Sequence, residues 1–241
     1  NNPDIIFCAQ PHLILIFYLT KKFCHWKGKI ICRETNSYEG SFRKLSFYDK
    51  FIRFFIKLIY QKIDIIIAPS KGIKKELNFK NTIYIPNPIN FDKINALSKL
   101  PIDSKFQKKN NFILAVGSLT NQKRFDDLIK AFYKIKNLNH SLVILGNGPK
   151  LSQLRYLVNS LKLENKVFFL GFDSNPFKYM SKCKLFVLTS GWEGMPNVLL
   201  QAMACKAPIL STNCNTGPNE ILKDGKLGHL VKVGDIDKIA K

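Results

Sequence analysis

The chain has 241 residues, 46% of them hydrophobic and 12% aromatic, which is enough apolar content for two modest packed domains and excludes a disordered tail. Its formal net charge is +21, with 20 basic and 8 acidic side chains in residues 1–110 and 18 and 9 in residues 111–241. That excess favours anionic partners, yet no basic stripe accompanies a nucleic-acid-binding module, so nucleic acid is not an expected partner. The six cysteines lack C-x-x-C spacing, which argues against a zinc site or a disulfide framework, and the apolar run 13–19 is far too short to span a bilayer. With no signal peptide visible, the composition fits a reducing, cytoplasmic setting.

In chain order, residues 1–85 read as three strands of one kind, at 5–9, 29–33 and 65–68, with helices between them. Three parallel strands would leave an unpaired edge and an exposed apolar sheet face, so this part is expected to be half of a Rossmann-like domain that is incomplete at its start. The loops Gln10-Pro11-His12 and Glu34-Thr35-Asn36 follow strands and are expected at the ligand-facing end. His12 offers a hydrogen bond to a sugar or an acceptor, or is a structural histidine. Residues 46–63, SFYDKFIRFFIKLIYQKI, place Lys50, Arg53 and Lys57 at helical spacing among Phe51, Phe54, Phe55, Leu58 and Ile59. This is a basic amphipathic helix, which suits an anionic membrane surface or a helix packed on a sheet with its lysines in water. Ser70 reads as the N-cap of the helix after the third strand. YIPNPIN at 84–90, with two prolines, opens a polar stretch to residue 110 and is the candidate hinge, giving a linker over 86–110.

From residue 111 apolar runs at 112–117, 141–145, 167–170, 184–188, 208–211 and 228–231 alternate with helical patterns at 124–138, 149–161, 175–182, 196–204 and 218–222. The alternation predicts an α/β domain over 111–241 with a doubly wound parallel sheet, its ligands at the carboxyl ends of the strands. The loops 117–123, 146–149, 171–175 and 189–196 lie there. Asp235 starts a last helix, within which the sequence stops, so the final helices are expected to be missing. Asp235 and Asp237 are better explained as acids at a helix start than as metal ligands, and no metal is expected.

Residues 190–208, SGWEGMPNVLLQAMACKAP, put a carboxylate, a glycine turn and a proline-started helix in succession. Pro196 suits the first helical position, and the first-turn N–H groups form an anion site for which phosphate is the natural guest. The helix is almost wholly apolar and expected to be buried. Gln201 interrupts it one turn after Asn197, and a buried amide left unpaired would cost roughly 1–3 kcal/mol, so a protein group or a ligand hydroxyl should pair with it. The plainer reading is a buried helix whose start is capped by a tight turn.

This segment resembles the E-x7-E signature of the family 4 nucleotide-sugar glycosyltransferases, two-domain enzymes of GT-B architecture, with Glu193 as the first acid and Gln201 in place of the second. ILAVGSLTNQKRFDDLIKAF (113–132), LVILGNGP (142–149), VFFLGF (167–172) and GPNEIL (217–222) continue the resemblance, which covers nearly all of residues 84–241. It implies a GT-B-like α/β fold of two Rossmann-like doubly wound domains, with residues 1–85 on the acceptor side and 111–241 binding the donor.

By the same resemblance Glu193 and Lys123 are the catalytic candidates. Glu193 holds donor-sugar hydroxyls, the amides of Gly194, Met195 and Asn197 after the turn at Pro196 hold the diphosphate, and Gln201 holds the ribose with weaker, uncharged acceptance. Lys123 reaches the donor phosphates; Ser118 stands where the family often has arginine, and Arg124 is a substitute for it. Gly117, Gly146, Gly148, Gly171 and Phe172 complete the donor-side set, and His12, Glu34 and Asn36 are the acceptor-side candidates. The implied activity is retaining transfer of a hexosyl group from a UDP- or GDP-linked sugar, a substrate rather than a cofactor, to a sugar or lipid-linked sugar in glycan or polysaccharide assembly. The implied setting is the cytoplasmic side of the inner membrane face, with the protein peripheral on an anionic membrane surface. The alternative is a non-catalytic truncated remnant that at most binds nucleotide sugar.

Overall fold

The computed structural model describes residues 3–9, 11–37, 47–102 and 111–241, the side chains at 11, 12, 47–50, 52 and 53 excepted. The chain divides into two compact units, Asn1–Asn87 with Trp192–Met195 and Asn215–Glu220, and Pro88–Gly191 with Pro196–Cys214 and Ile221–Lys241.

The first unit carries four parallel strands, β1 (Ile5–Cys8), β2 (Lys29–Arg33), β3 (Ile65–Ala68) and β4 (Thr82–Tyr84), in the order β1-β2-β3-β4. Helices α1 (Pro11–Phe23), α2 (Phe47–Tyr60) and α3 (Lys71–Leu77) connect them. Alternate strand residues Cys8, Ile30, Cys32, Ile66 and Ala68 join Ile14, Ile56, Ile59, Tyr60, Ile73 and Leu77 of the helices in one core. The period of two therefore selects the helix-covered face, while Ile5, Phe7 and Ile83 remain exposed. Ser70 caps α3, accepting the Ile73 N–H at 3.1 Å.

The fourth strand is a correction to the three expected in residues 1–85. Three residues are too short for a pattern, and β4 is fixed from outside: the Asn81 side-chain amide donates to the Tyr60 and Ile63 carbonyls, each at 2.8 Å, and so seats Thr82 opposite Ile66. The stretch 86–110, expected as a linker, carries secondary structure of its own. Residues Phe91–Ser98 form helix α4, capped by the Asn90 side chain on the Lys93 N–H at 2.9 Å. The last two carbonyls of α4, of Leu97 and Ser98, accept from the Asn175 and Ser181 side chains, and the Leu100 carbonyl just beyond the helix accepts from Lys182. Residues 103–110 of that stretch lie outside the described residues.

The second unit holds β5 (Phe112–Val116), β6 (Ser141–Leu145), β7 (Val167–Gly171), β8 (Leu185–Leu188), β9 (Ile209–Thr212) and β10 (His229–Val231), all parallel, in the order β10-β9-β8-β5-β6-β7. Between the strands run α5 (Phe125–Lys134), α6 (Leu151–Ser160), α7 (Phe177–Met180), α8 (Asn197–Ala204) and α9 (Pro218–Ile221), the first three residues of α9 belonging to the first unit, and after β10 comes α10 (Ile236–Ala240). One face of the sheet packs Ile113, Ala115, Leu142 and Ile144 against Phe125, Leu128, Ile129 and Phe132 of α5 and Leu154 and Val158 of α6. The alternate residues Phe112, Leu114, Val143, Leu145 and Phe186 are equally buried, as the unbroken apolar runs require. The strand order reverses between β5 and β8: the chain winds outward through β6 and β7, returns to the other side of β5 and winds outward again.

Asn81→Ala leaves two inward-facing carbonyls without their donor, so a loss of about 2 kcal/mol in urea unfolding is expected; a change under about 0.5 kcal/mol would show that β4 is not held this way.

Candidate functional site

In a parallel sheet, ligands bind outside the carboxyl ends of the strands at the point where the order reverses, which here is β5 and β8. The loop after β5 begins at Gly117, whose N–H donates to Leu145 at 2.9 Å, and Gly146 after β6 donates to Gly171 at the end of β7 at 2.7 Å. A Cβ on Gly146 would stand 1.9 Å from the Gly117 carbonyl oxygen, and one on Gly148 would stand 2.5 Å from that of Leu119. Both glycines are thus demanded by close approach of backbone to backbone, and Gly146, at φ +138°, by its dihedral as well. Leu119 N–H donates to Asn147 at 2.9 Å and Lys150 N–H donates to Leu119 at 3.0 Å, so the first two loops are stitched together by main chain.

The loop after β5 is tied equally firmly to the loop after β8. Thr189 Oγ1 donates to the Lys123 carbonyl at 2.8 Å and the Gly191 N–H donates to the Gln122 carbonyl at 2.8 Å. The Lys123 stem lies over Gly117, where a Cβ would meet its Cε at 3.2 Å. Arg124 opens α5 from the left-handed region at φ 48°, with Nε donating to the buried Asp127 carboxylate at 2.6 Å. Ser118 and Phe172 are exposed, Phe172 strongly so at 75%, and Gly171 turns the chain at φ +75°. Beyond β8, Thr212 Oγ1 donates to Ser190 at 2.6 Å, fixing the exit of β8 to that of β9.

Pro196 is the residue before α8 and not its first helical residue, a correction of one position: its ψ of 100° is extended, and its carbonyl accepts from Leu199 at 3.0 Å. Proline still suits the place, since its missing N–H would precede the intrahelical bonds. Asn197 is exposed and Gln201 only half-buried, so its amide is not sealed from water, contrary to the buried amide expected from the apolar run around it.

Gly117, Ser118, Lys123, Arg124, Gly146, Gly148, Gly171, Phe172, Pro196, Asn197 and Gln201 belong to the second unit. Glu193, Gly194 and Met195 belong to the first, with Glu34 and Asn36. Glu193 is buried and its carbonyl accepts from Thr216 Oγ1. Gly194 lies on the 34–36 loop, where a Cβ would come 2.5 Å from the Thr35 carbonyl oxygen. Glu34 is itself buried: Tyr60 Oη donates to Oε2 at 2.7 Å and the Thr35 N–H to Oε1 at 3.1 Å. Burial raises its carboxyl above the ordinary range, more than the Tyr60, Thr35 and Asn36 hydrogen bonds lower it. Sequence reasoning did not find Tyr60, which is 26 positions from Glu34, nor Thr189. The Arg124–Asp127 pair was readable from its i, i+3 spacing at a helix start. The His12 side chain, Gln10, and the Lys50 and Arg53 side chains lie outside the described residues.

None of the six cysteines is in a disulfide, and among the described residues no cluster of His, Cys, Asp or Glu has metal-ligand grouping. Asp235 caps α10 on the Lys238 N–H at 3.1 Å, and Asp237 pairs with Lys134 at 2.6 Å. A groove of about 600 Å³ beside α5 and α10 is walled mainly by apolar residues such as Phe132, Leu185, Val231 and Ile239. It does not include the strand-end loops.

The family profile described as glycosyl transferases group 1 matches residues 98–241. A glycosyltransferase of Methanocaldococcus jannaschii is 38% identical over 237 residues, covering 92% of this chain and 58% of the relative. The Campylobacter jejuni N-acetylgalactosamine-N,N'-diacetylbacillosaminyl-diphospho-undecaprenol 4-alpha-N-acetylgalactosaminyltransferase is 34% identical, covering 96% and 63%. The chain thus spans about six tenths of the length of these relatives. Among solved structures, Anabaena Alr3699/HepE in complex with UDP and glucose superposes with a TM-score of 0.84 at 19% identity, over 98% of this chain and 66% of that one, a likeness of fold.

Because the Glu34 carboxyl is raised in the folded chain, its contribution to stability is greatest below the unfolded value and declines as pH rises through the folded value. Glu34→Gln should therefore gain on the parent in unfolding free energy as pH rises above about 4.5. A parent that gains on the variant over that range would contradict the assigned direction.

Proposed function

The chain belongs to the glycosyl transferases group 1, and on that premise we propose that it moves a hexosyl group, with retention of configuration, from a UDP- or GDP-linked sugar to a sugar or lipid-linked sugar acceptor in glycan assembly. The observation that carries the donor side of this reading is the bonding of the Gln122–Lys123 segment to the β8 loop at the point where strand order reverses, with the Lys123 stem over Gly117. When the bond between the anomeric carbon and the diphosphate breaks, positive charge grows on the sugar ring and negative charge on the leaving diphosphate. Lys123 and the first-turn amides of α8 are placed in this reading to stabilise that diphosphate, Glu193 to hold sugar hydroxyls, and Gln201 the ribose. Gly117, Gly146 and Gly148 keep the floor of the donor side thin. On this reading residues 1–85 serve the acceptor, with Glu34 and Asn36 shaping its loop, and 111–241 serve the donor. The names of the relatives, one acting on a diphospho-undecaprenol-linked sugar, and the UDP held by HepE support the same substrate classes.

A lipid-linked acceptor calls for a membrane surface, and we place the protein peripherally on the cytoplasmic side. No described helix is long and apolar enough to cross a membrane. Helix α2 instead has two apolar faces. Ile56, Ile59 and Tyr60 enter the core, while Phe51, Phe54, Phe55 and Leu58, at i, i+3, i+4 and i+7, stay exposed at 57%, 59%, 40% and 39%. Helix α1, packed beside it, exposes Ile16, Leu19 and Phe23. Exposed Lys22, Lys57 and Lys62 complement anionic headgroups.

Lys123→Ala should weaken UDP or GDP binding in calorimetry by about tenfold or more, as loss of a charged phosphate partner implies, while Glu193→Ala should reduce sugar transfer far more than diphosphate binding. Gln201→Glu should leave donor binding equal or tighter. Transfer unchanged in Glu193→Ala would remove that residue from the donor-sugar site. In sedimentation with vesicles, binding should require anionic lipid at low salt and fall at least several-fold in Phe51→Ser/Phe54→Ser. Equal binding to neutral and anionic vesicles, or a dimer abolished by the same pair of substitutions, would overturn the membrane reading.

A further inference from the structure

We propose that Arg124 is a positioning residue: it clamps the Gln122–Lys123 segment against the loops after β8 and β10 and thereby sets where the Lys123 ammonium stands. The inference rests on the phosphate-binding reading of Lys123 given above.

The starting observation is the backbone. Seven non-glycine residues have positive φ among the described residues: His25, Asn78, Arg124, Lys162, Lys206, Lys223 and Asp224. Six follow the end of a helix within three residues, where a left-handed residue is the ordinary way to stop. Arg124 alone stands at a helix start, where the N-cap residue is normally extended. Its side chain accounts for what holds it there. Nε donates to Asp127, whose side chain is 5% exposed, at 2.6 Å. A Cβ on Gly191 would touch the Arg124 Cδ at 3.2 Å, and one on Gly234 would touch Nη2 at 3.2 Å. The arginine therefore lies against one glycine after β8 and another after β10, with its own backbone continuing from the loop after β5.

Those contacts fall beside the two hydrogen bonds that tie Gln122 and Lys123 to Gly191 and Thr189. A left-handed Arg124 turns the chain between Lys123 and α5, and the Asp127 bond fixes that turn to the first turn of the helix. With Nε committed to Asp127 and the side chain lying against Gly191 and Gly234, the guanidinium acts through the lysine before it. A direct phosphate contact by Arg124 is the competing role.

The test is a double-mutant cycle read by calorimetric UDP binding on Lys123→Ala, Arg124→Gly and the pair, with Asp127→Asn as a second way to open the clamp and circular dichroism to confirm folding. Arg124→Gly accepts the left-handed turn without strain while removing the clamp. We expect Arg124→Gly and Asp127→Asn each to weaken UDP about tenfold, and the double variant to bind no worse than Lys123→Ala alone. Multiplying losses in the double variant would overturn the proposal in favour of a direct contact. Unchanged UDP affinity in both Arg124→Gly and Asp127→Asn, with Lys123→Ala weakened, would reduce the arginine to a stability role. No loss in Lys123→Ala would instead fail the phosphate reading on which the proposal stands.

Discussion

The reversal of strand order between β5 and β8 is the constraint from which the second unit's chemistry follows. Two parallel strands whose connections leave in opposite directions cannot have their exits closed by one crossover, so the loops after them face a common opening. Main chain can come close to a ligand in that opening only where side chains are absent. Gly117, Gly146 and Gly148 meet this condition: their neighbours are carbonyl oxygens or a lysine stem at distances that admit little or no Cβ. The hydrogen bonds from Thr189 and Gly191 then close the loop after β5 onto the loop after β8.

The first unit is organised by a buried polar interaction instead. Glu34 follows β2, at the end of a strand with neighbours on both sides, and its carboxylate is taken into the core by Tyr60 from the last turn of α2. The same carboxylate accepts from the Thr35 backbone, so the loop that meets Gly194 is shaped by a group with no opening to solvent. Burial sets the cost of that arrangement and raises the Glu34 carboxyl, and it raises the Tyr60 hydroxyl and the Cys32 thiol as well.

Much of this was legible in the sequence, for reasons that can be stated residue by residue. FILAV and SLVIL are long apolar runs because both faces of β5 and β6 are covered, and such runs declare themselves without knowledge of partners. Thr82–Tyr84 is three residues long and owes its place to Asn81 bonding two carbonyls some twenty positions earlier, which no local pattern encodes. Helix α4 was hidden in a polar stretch because it buries little beyond Ile94, and its last two carbonyls accept from the Asn175 and Ser181 side chains. The glycine-turn-helix segment after β8 was readable in kind, yet its register was off by one because proline satisfies the extended N-cap as well as the first helical position. The partners of Glu34 and of the Lys123 carbonyl were beyond reach, being set by tertiary contacts over 26 and 66 positions.

The central claim, that the loops at the β5 and β8 exits form the nucleotide-diphosphate site, is tested most directly by hydrogen–deuterium exchange of the chain with and without saturating UDP or GDP. The account predicts slowed exchange confined to residues 117–124 and the first turn of α8, with the exposed face of α2 unchanged. Protection centred on the apolar groove beside α5 and α10, or no protection at 117–124 under conditions where calorimetry registers binding, would contradict it.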